Sequence, residues 1–215
     1  KKKRTVKINK NLFYKNPIDT VKNNKVNILF ELIGMSDGIS KKVVEIALKN
    51  KKHVITANKA LISKHGENLS KLAEKNNVNL EFEASVGGGI PVLRTIKDGL
   101  ATNKISKVVG ILNGTSNYIL TEMEKTKKSF KEVLLKSQKL GLAEANPKFD
   151  LDGSDVLSKV KILSARAFKK QISLKNTALV EKTIEIAKKF PKITKKKEIS
   201  LIERIAKKSV IYNRR

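Results

Sequence analysis

Val26-Asn27-Ile28-Leu29-Phe30-Glu31-Leu32-Ile33-Gly34 is a mostly apolar run closed by a glycine, and it reads as a buried strand. Downstream, residues 40–50 carry apolar side chains at 43, 44, 46, 47 and 48, which predicts a helix with Ser40 as its N-cap. His53 to Thr56 reads as a short second strand, residues 68–77 as another helix, and Val78 to Ala84 as a third strand. Strand–helix–strand–helix–strand at this spacing predicts an α/β fold, a parallel sheet with crossover helices. Such sheets collect their ligands at the carboxyl ends of the strands. Gly34, Asn58-Lys59 and Ser85 to Gly89 all fall there.

Working outward, Ile90-Pro91 opens a helix expected to reach about Ala101, with proline in its first turn, where a missing N–H costs nothing. Residues 104–112 then read as a strand, 117–125 and 130–140 as helices, and 143–153 as a turn-rich loop. A further helix over 155–167 carries apolar residues at 156, 157, 160, 162 and 163. Beyond Phe168 the pattern turns repetitive and lysine-rich, and residues 191–215 read as a basic tail.

The 215 residues suffice for one large domain or two small ones with a real core. The hydrophobic fraction is 40% in short, separated runs, as expected of a soluble globular protein. No window reaches the roughly 18 apolar residues of a transmembrane helix, and no signal peptide follows the basic start. The chain has no cysteine, which excludes disulfides, thiolate zinc sites and a cysteine nucleophile. A cytoplasmic protein is the default expectation.

The net charge of +27 raises nucleic-acid binding. Yet only six of the 47 basic residues are arginine, the side chain suited to bidentate phosphate contacts. The 41 lysines are spread through nearly every segment, so biased composition is the preferred reading. The first residue is Lys1 and the only methionines are Met35 and Met123, so the chain is expected to be part of a longer product.

Four stretches could carry chemistry. Ser85-Val86-Gly87-Gly88-Gly89-Ile90-Pro91 is a glycine turn between strand and helix, either a tight connection or a close backbone approach to a ligand. Glu83 stands just before it, and this carboxylate with turn carbonyls could hold a hard cation. Asn58-Lys59 places an amine at a strand exit. Gly110 to Asn117 is a polar strand exit, or a capping turn with Ser116 or Thr115 as the cap. The densest cluster runs from Gly141 to Lys159 and contains Glu144, Asn146, Asp150, Asp152 and Asp155. Asp155 and Lys159 share a helix face, as an ordinary ion pair or as a carboxylate holding a lysine that exchanges a proton with a substrate oxygen. Spacing alone leaves both readings open.

Taken together, residues from about Val26 to Phe168 resemble the homoserine dehydrogenases. The resemblance is carried by Glu31 to Gly34, His53 to Leu61, Glu83 to Pro91, Gly110 to Leu120 and Gly141 to Pro147, then Asp150, Asp152-Gly153, Asp155 and Lys159. It implies an incomplete Rossmann-type parallel sheet and a second α+β domain for substrate binding and dimerisation. Residues 1–90 would be a partial NAD(P)-binding domain lacking its first strand and glycine loop. Residues 91–190 would be an incomplete substrate-binding and catalytic domain, and 191–215 the tail.

The resemblance also implies roles. Lys159 would be the catalytic proton donor and acceptor, Glu144 and Asp155 would hold the amino-acid substrate, and Lys59 and Gly141 would contact NADP or NAD. Glu83 with the carbonyls of Val86, Gly88 and Ile90 would form a sodium site. The implied reaction is the reversible NAD(P)-dependent reduction of aspartate 4-semialdehyde to homoserine by a homodimer, on the route to threonine and methionine.

The chain departs from the family in two respects. No G-x-G-x-x-G lies upstream of Val26, and Gly34 is followed by Met35 where the family commonly has another glycine. Weak or absent turnover, and unpaired sheet edges that invite aggregation, are therefore expected of the chain alone. A non-catalytic dimerising remnant is the alternative reading, and a basic nucleic-acid-binding protein the third.

Overall fold

A computed structural model of the chain describes residues 6, 9–151, 153–169 and 210–212. Asp152 lies outside the described residues, as does the expected basic tail apart from 210–212. The chain divides into two compact units, Lys1–Gly89 and Ile90–Arg215.

In the first unit, α1 (Pro17–Lys22) precedes β1 (Ile28–Glu31), α2 (Ile39–Lys49), β2 (His53–Thr56), α3 (Lys59–Lys75) and β3 (Leu80–Glu81). The three strands form one parallel sheet in the order β1-β2-β3, with Ile28 opposite His53 and Val54 opposite Leu80. The expected α/β architecture is thus present. Its core draws Val43, Val44, Ala47 and Leu48 from α2, Val54 from β2, and Leu61, Ile62, Leu69 and Ala73 from α3. Each buried leucine contributes about 2 kcal/mol of transfer free energy.

Several boundaries differ from the sequence reading, each for a local reason. β1 is an edge strand of the described sheet, and Ile28 and Phe30 are exposed while Glu31 is 1% exposed. The strand expected to be buried is therefore covered on one face only. α3 starts at Lys59, nine residues before the expected helix, because the Asn58 side chain accepts from the Leu61 N–H at 3.1 Å and caps it. α2 is preceded by Gly38 at φ +68°, and Ser40 lies inside the helix with its hydroxyl donating to the Gly34 carbonyl. β3 is short because Glu83–Ser85 turns immediately into a 3-10 helix.

Met35 occupies the left-handed region at φ +67° with its side chain exposed. An L-residue there costs about 1–2 kcal/mol, of which the greater chain entropy of an unfolded glycine would return part. Met35→Gly is expected to stabilise the first unit by up to about 1 kcal/mol in urea unfolding. A lower midpoint would contradict this.

In the second unit, α4 (Val92–Arg94) runs into a π-helical turn at Thr95–Gly99. The single helix expected to reach Ala101 is interrupted there. The Thr95 hydroxyl donates to the Pro91 carbonyl at 2.7 Å, and the Leu100 N–H reaches back to the Thr95 carbonyl at 2.9 Å. Pro91 is the N-cap of α4 rather than a residue of its first turn.

β4 (Lys107–Val109), α5 (Gly114–Thr126), α6 (Phe130–Lys139), α7 (Lys148–Leu151) and α8 (Ser154–Phe168) follow. β5 (Val210–Tyr212) pairs antiparallel with β4, Val108 opposite Ile211, so part of the expected tail is strand. A capping box between Ser129 and Glu132 starts α6, and Ile119 of α5 and Val133 of α6 are fully buried. α8 lays Val160 and Phe168 against Ile105, Val108 and Leu112. That packing fixes the helix that carries Asp155 and Lys159. Among the described residues no helix is long and apolar enough to cross a membrane.

Candidate active site

The second unit gathers its polar groups where α5 begins. Asn113, not Ser116 or Thr115, is the N-cap of α5: its side-chain oxygen accepts from the Ser116 N–H at 2.7 Å. The same side chain donates from its amide nitrogen to Asp150 Oδ1 at 2.8 Å and to Asp155 Oδ2 at 2.9 Å. One turn along α8, Lys159 Nζ lies 2.7 Å from Asp155 Oδ2 and 2.6 Å from the Leu112 carbonyl oxygen. The Ser116 hydroxyl donates to the Asp150 carbonyl at 3.1 Å and holds α7 against α5.

Asp155 is 4% exposed, so its pairing with Lys159 is no solvated surface contact. A buried carboxylate needs such partners, because removing it from water costs several kcal/mol or more. Two donors of the lysine are committed, and a bound oxygen atom could take the third. Two carboxylates and one ammonium within this small volume leave it net negative, which favours a cationic group on a ligand.

Gly141 sits at φ +72° just past the end of α6. Its N–H donates to the Gln138 carbonyl at 3.0 Å and the Leu142 N–H to the Ser137 carbonyl at 2.9 Å, the paired bonds of a Schellman turn. The Thr115 hydroxyl donates to the Leu142 carbonyl at 3.0 Å and ties this turn to α5. Glu144 is exposed farther along the same turn, where its backbone carbonyl accepts from Gln138 Nε2 at 3.0 Å. Among the described residues its carboxylate makes no hydrogen bond to the Asp155–Lys159 pair.

In the first unit, Lys59 is the half-buried first residue of α3, beside the cap Asn58. The strand exits around it are organised by Glu31. Glu31 Oε1 accepts from the Ile33 N–H at 2.9 Å and the Gly34 N–H at 3.3 Å, and Oε2 accepts from the Thr56 hydroxyl at 2.7 Å. Thr56 Oγ1 in turn accepts from the Asn58 N–H at 2.9 Å, and Asn58 Nδ2 donates to the Met35 carbonyl at 2.8 Å.

A second tie joins this exit to α3: Asp37 accepts from Lys64 Nζ at 2.6 Å and from the Ser36 hydroxyl at 2.6 Å, and meets His65 Nε2 at 2.9 Å. The Lys64 hydrogen bond, followed by those of Ser36 and His65, holds the Asp37 carboxyl well below the usual carboxylate range. Sequence reasoning left Glu31 without a role. A lone acid inside an apolar run was the signal available.

Glu83 begins the 3-10 turn, Val86 is buried directly after it, and Gly88 and Gly89 follow. The Ile90 carbonyl accepts from the Val92 N–H at 2.7 Å. Among the described residues no group of three or more histidine, cysteine, aspartate or glutamate side chains could hold a metal ion. A cation here would depend on a single carboxylate and turn carbonyls.

Comparison with known proteins gives one answer along the chain. Residues 91–210 match the family model described as homoserine dehydrogenase, and residues 1–83 match the homoserine dehydrogenase NAD-binding domain. The likeness therefore extends beyond the Val26–Phe168 span on both sides. The homoserine dehydrogenase of Neisseria gonorrhoeae is 46% identical over 156 residues, covering 73% of this chain and 36% of that protein. The Bacillus subtilis enzyme is 41% identical over 175 residues, covering 81% of this chain and 40% of the other.

Among solved structures, a homoserine dehydrogenase from Thiobacillus denitrificans superimposes with TM-score 0.71 at 42% identity, over 75% of this chain and 37% of that one. A hyperthermophilic archaeal homoserine dehydrogenase in complex with NADPH gives TM-score 0.68 at 25% identity, over 77% and 53%. This chain thus spans well under half the length of the curated relatives it matches.

Proposed function

The chain belongs to the homoserine dehydrogenase family, and we infer that its site serves the reversible NAD(P)-dependent interconversion of homoserine and aspartate 4-semialdehyde. The observation that carries this reading is the buried Lys159–Asp155–Asn113–Asp150 network. It offers an amine for proton exchange next to acids that suit an ammonium-bearing substrate.

In the oxidising direction neutral Lys159 takes the proton from the substrate hydroxyl, and in the reducing direction its ammonium returns that proton to the carbonyl oxygen. The Leu112 carbonyl and Asp155 hold the amine in place for both. Asp155, with Glu144 from the 141–147 turn, receives the substrate ammonium. NAD(P), when bound, takes or supplies the hydride.

The residues present suit such a cofactor at the carboxyl edge of the sheet. Gly34 has φ +85° and open space where a Cβ would stand, so backbone is accessible beside the start of α3. Lys59 there, and Gly141 in the second unit, are the cofactor contacts of this reading. A sodium ion on Glu83 and the carbonyls of Val86, Gly88 and Ile90, a homodimeric assembly, and the division into a nucleotide domain to residue 90 and a substrate domain to residue 190 belong to the same proposal.

The test is homoserine-dependent reduction of NAD(P), followed by absorbance. Little or no turnover is expected of residues 1–215, and clear turnover once a strand and glycine-rich loop are joined upstream. Equal activity in both would contradict the need for that loop, and no activity in either would sink the reading.

A further inference from the structure

We propose that Asn113 is a positioning residue of this site, a neutral side chain that sets the spacing of Asp150, Asp155 and Lys159. The inference rests on the functional reading above, which names Asn113 only as a member of the network, and deepens it by giving that residue a task of its own.

Three polar functions of one buried side chain are fully used. The oxygen caps α5 through the Ser116 N–H, and the two amide hydrogens go to carboxylates on two other elements, Asp150 of α7 and Asp155 of α8. Asp155 Oδ2 is the same atom that meets Lys159 Nζ, so Asn113 and the lysine converge on one oxygen from different directions. Residue 112 supplies the other acceptor for that lysine through its backbone carbonyl. The start of α5 therefore reaches the lysine twice, through the Leu112 carbonyl and through the Asn113 amide.

The chemistry requires a neutral double donor. Two carboxylates drawn toward one point repel each other unless a proton or a donor stands between them. The Asn113 amide provides a hydrogen to each without adding charge. The two acids are thereby held at a fixed spacing, one of them beside Lys159. Asn113 touches no reacting atom in this arrangement. It acts through the acids and the lysine.

Two substitutions isolate the amide from the cap, because asparagine, aspartate and serine cap helices about equally well. Asn113→Asp keeps the capping oxygen and replaces the two donors with a third acid. Asn113→Ser keeps a capping hydroxyl too short, and with too few hydrogens, to span both acids.

On the intact chain, carbon-detected NMR titration of Asn113→Asp is expected to show a carboxyl absent from the wild type. It should titrate about two units or more above the usual carboxylate range, as neighbouring acids come to share a proton. A folded variant whose carboxyls all titrate as in the wild type would overturn the proposal. In whichever form of the enzyme turns over homoserine, both substitutions are expected to raise the homoserine KM about tenfold or more and leave the NAD(P) KM unchanged.

A fall in kcat with both KM values unchanged, and no larger than the loss of folded protein measured in the same sample, would also overturn it. Wild type without turnover would sink the functional reading, and the titration would then decide on the network by itself.

Discussion

Lys159→Met is expected to lower homoserine oxidation by about 10²–10⁴-fold in kcat, the range that a positioned acid–base group supplies. Methionine keeps an unbranched side chain one atom shorter and removes the amine nitrogen. The same change leaves the Asp155 carboxylate, whose side chain is 3% exposed, without its cation. Breaking a buried pair in this way costs about 3–5 kcal/mol of stability, so activity must be measured at a temperature where the variant is folded.

Lys159→Arg separates the two effects. Its guanidinium retains the charge next to Asp155 but does not give up a proton near neutral pH, so stability should largely return while turnover does not. An arginine variant with wild-type kcat would remove Lys159 from the proton transfer. Oxidation needs the neutral amine and reduction the ammonium.

The second large effect concerns Glu31. Its carboxylate satisfies the Ile33 and Gly34 N–H groups and the Thr56 hydroxyl at a site that is 1% exposed. Glu31→Ala leaves all three without an acceptor. At about 1–3 kcal/mol for the buried Thr56 hydroxyl, and less for each of the two part-buried amides, a loss on the order of 2 kcal/mol or more is expected in urea unfolding. That is a large share of what a unit of this size commands, at roughly 0.1 kcal/mol per residue. Hydrogen exchange should speed up first at the amides of Ile33 and Gly34. Glu31→Gln is expected to be nearly as harmful, because half of its head group is itself a donor aimed at donors. An unchanged unfolding midpoint for the glutamine variant would show that the carboxylate does not organise these strand exits.

The parallel sheet and its crossovers were legible because α2 carries its apolar residues at helical spacing and β2 is a short run centred on the β-branched Val54 and Ile55. α8 was legible for the same reason, and with it the shared face of Asp155 and Lys159. The first nine residues of α3 were not. Lys59, His65 and Gly66 blur the apolar period there, and the cap that starts the helix is an asparagine in a segment read as a strand exit.

Burial along β1 came out reversed at Phe30 and Glu31. Composition marks the phenylalanine for the interior, while the buried donor that meets the glutamate there is the Thr56 hydroxyl, 25 residues away. The cap of α5 shows the same limit. Asn113, Thr115 and Ser116 are all good capping residues, and what selects Asn113 includes bonds to acids 37 and 42 positions downstream. Local pattern carries the elements. The polar network is a property of their packing.

Leu112 gives the packing a chemical voice. Its side chain lies against Val160 and Phe168, and its carbonyl accepts from Lys159, the neighbour of Val160. A backbone acceptor survives every substitution, so the amine keeps this anchor whatever side chain occupies position 112. What a substitution can change is how far the anchor stands from the helix that bears the amine. The oily interior thus acts as a gauge block between the Leu112 carbonyl and the helix that bears Lys159, and a methyl group trimmed from it would alter that spacing with no charged residue changed.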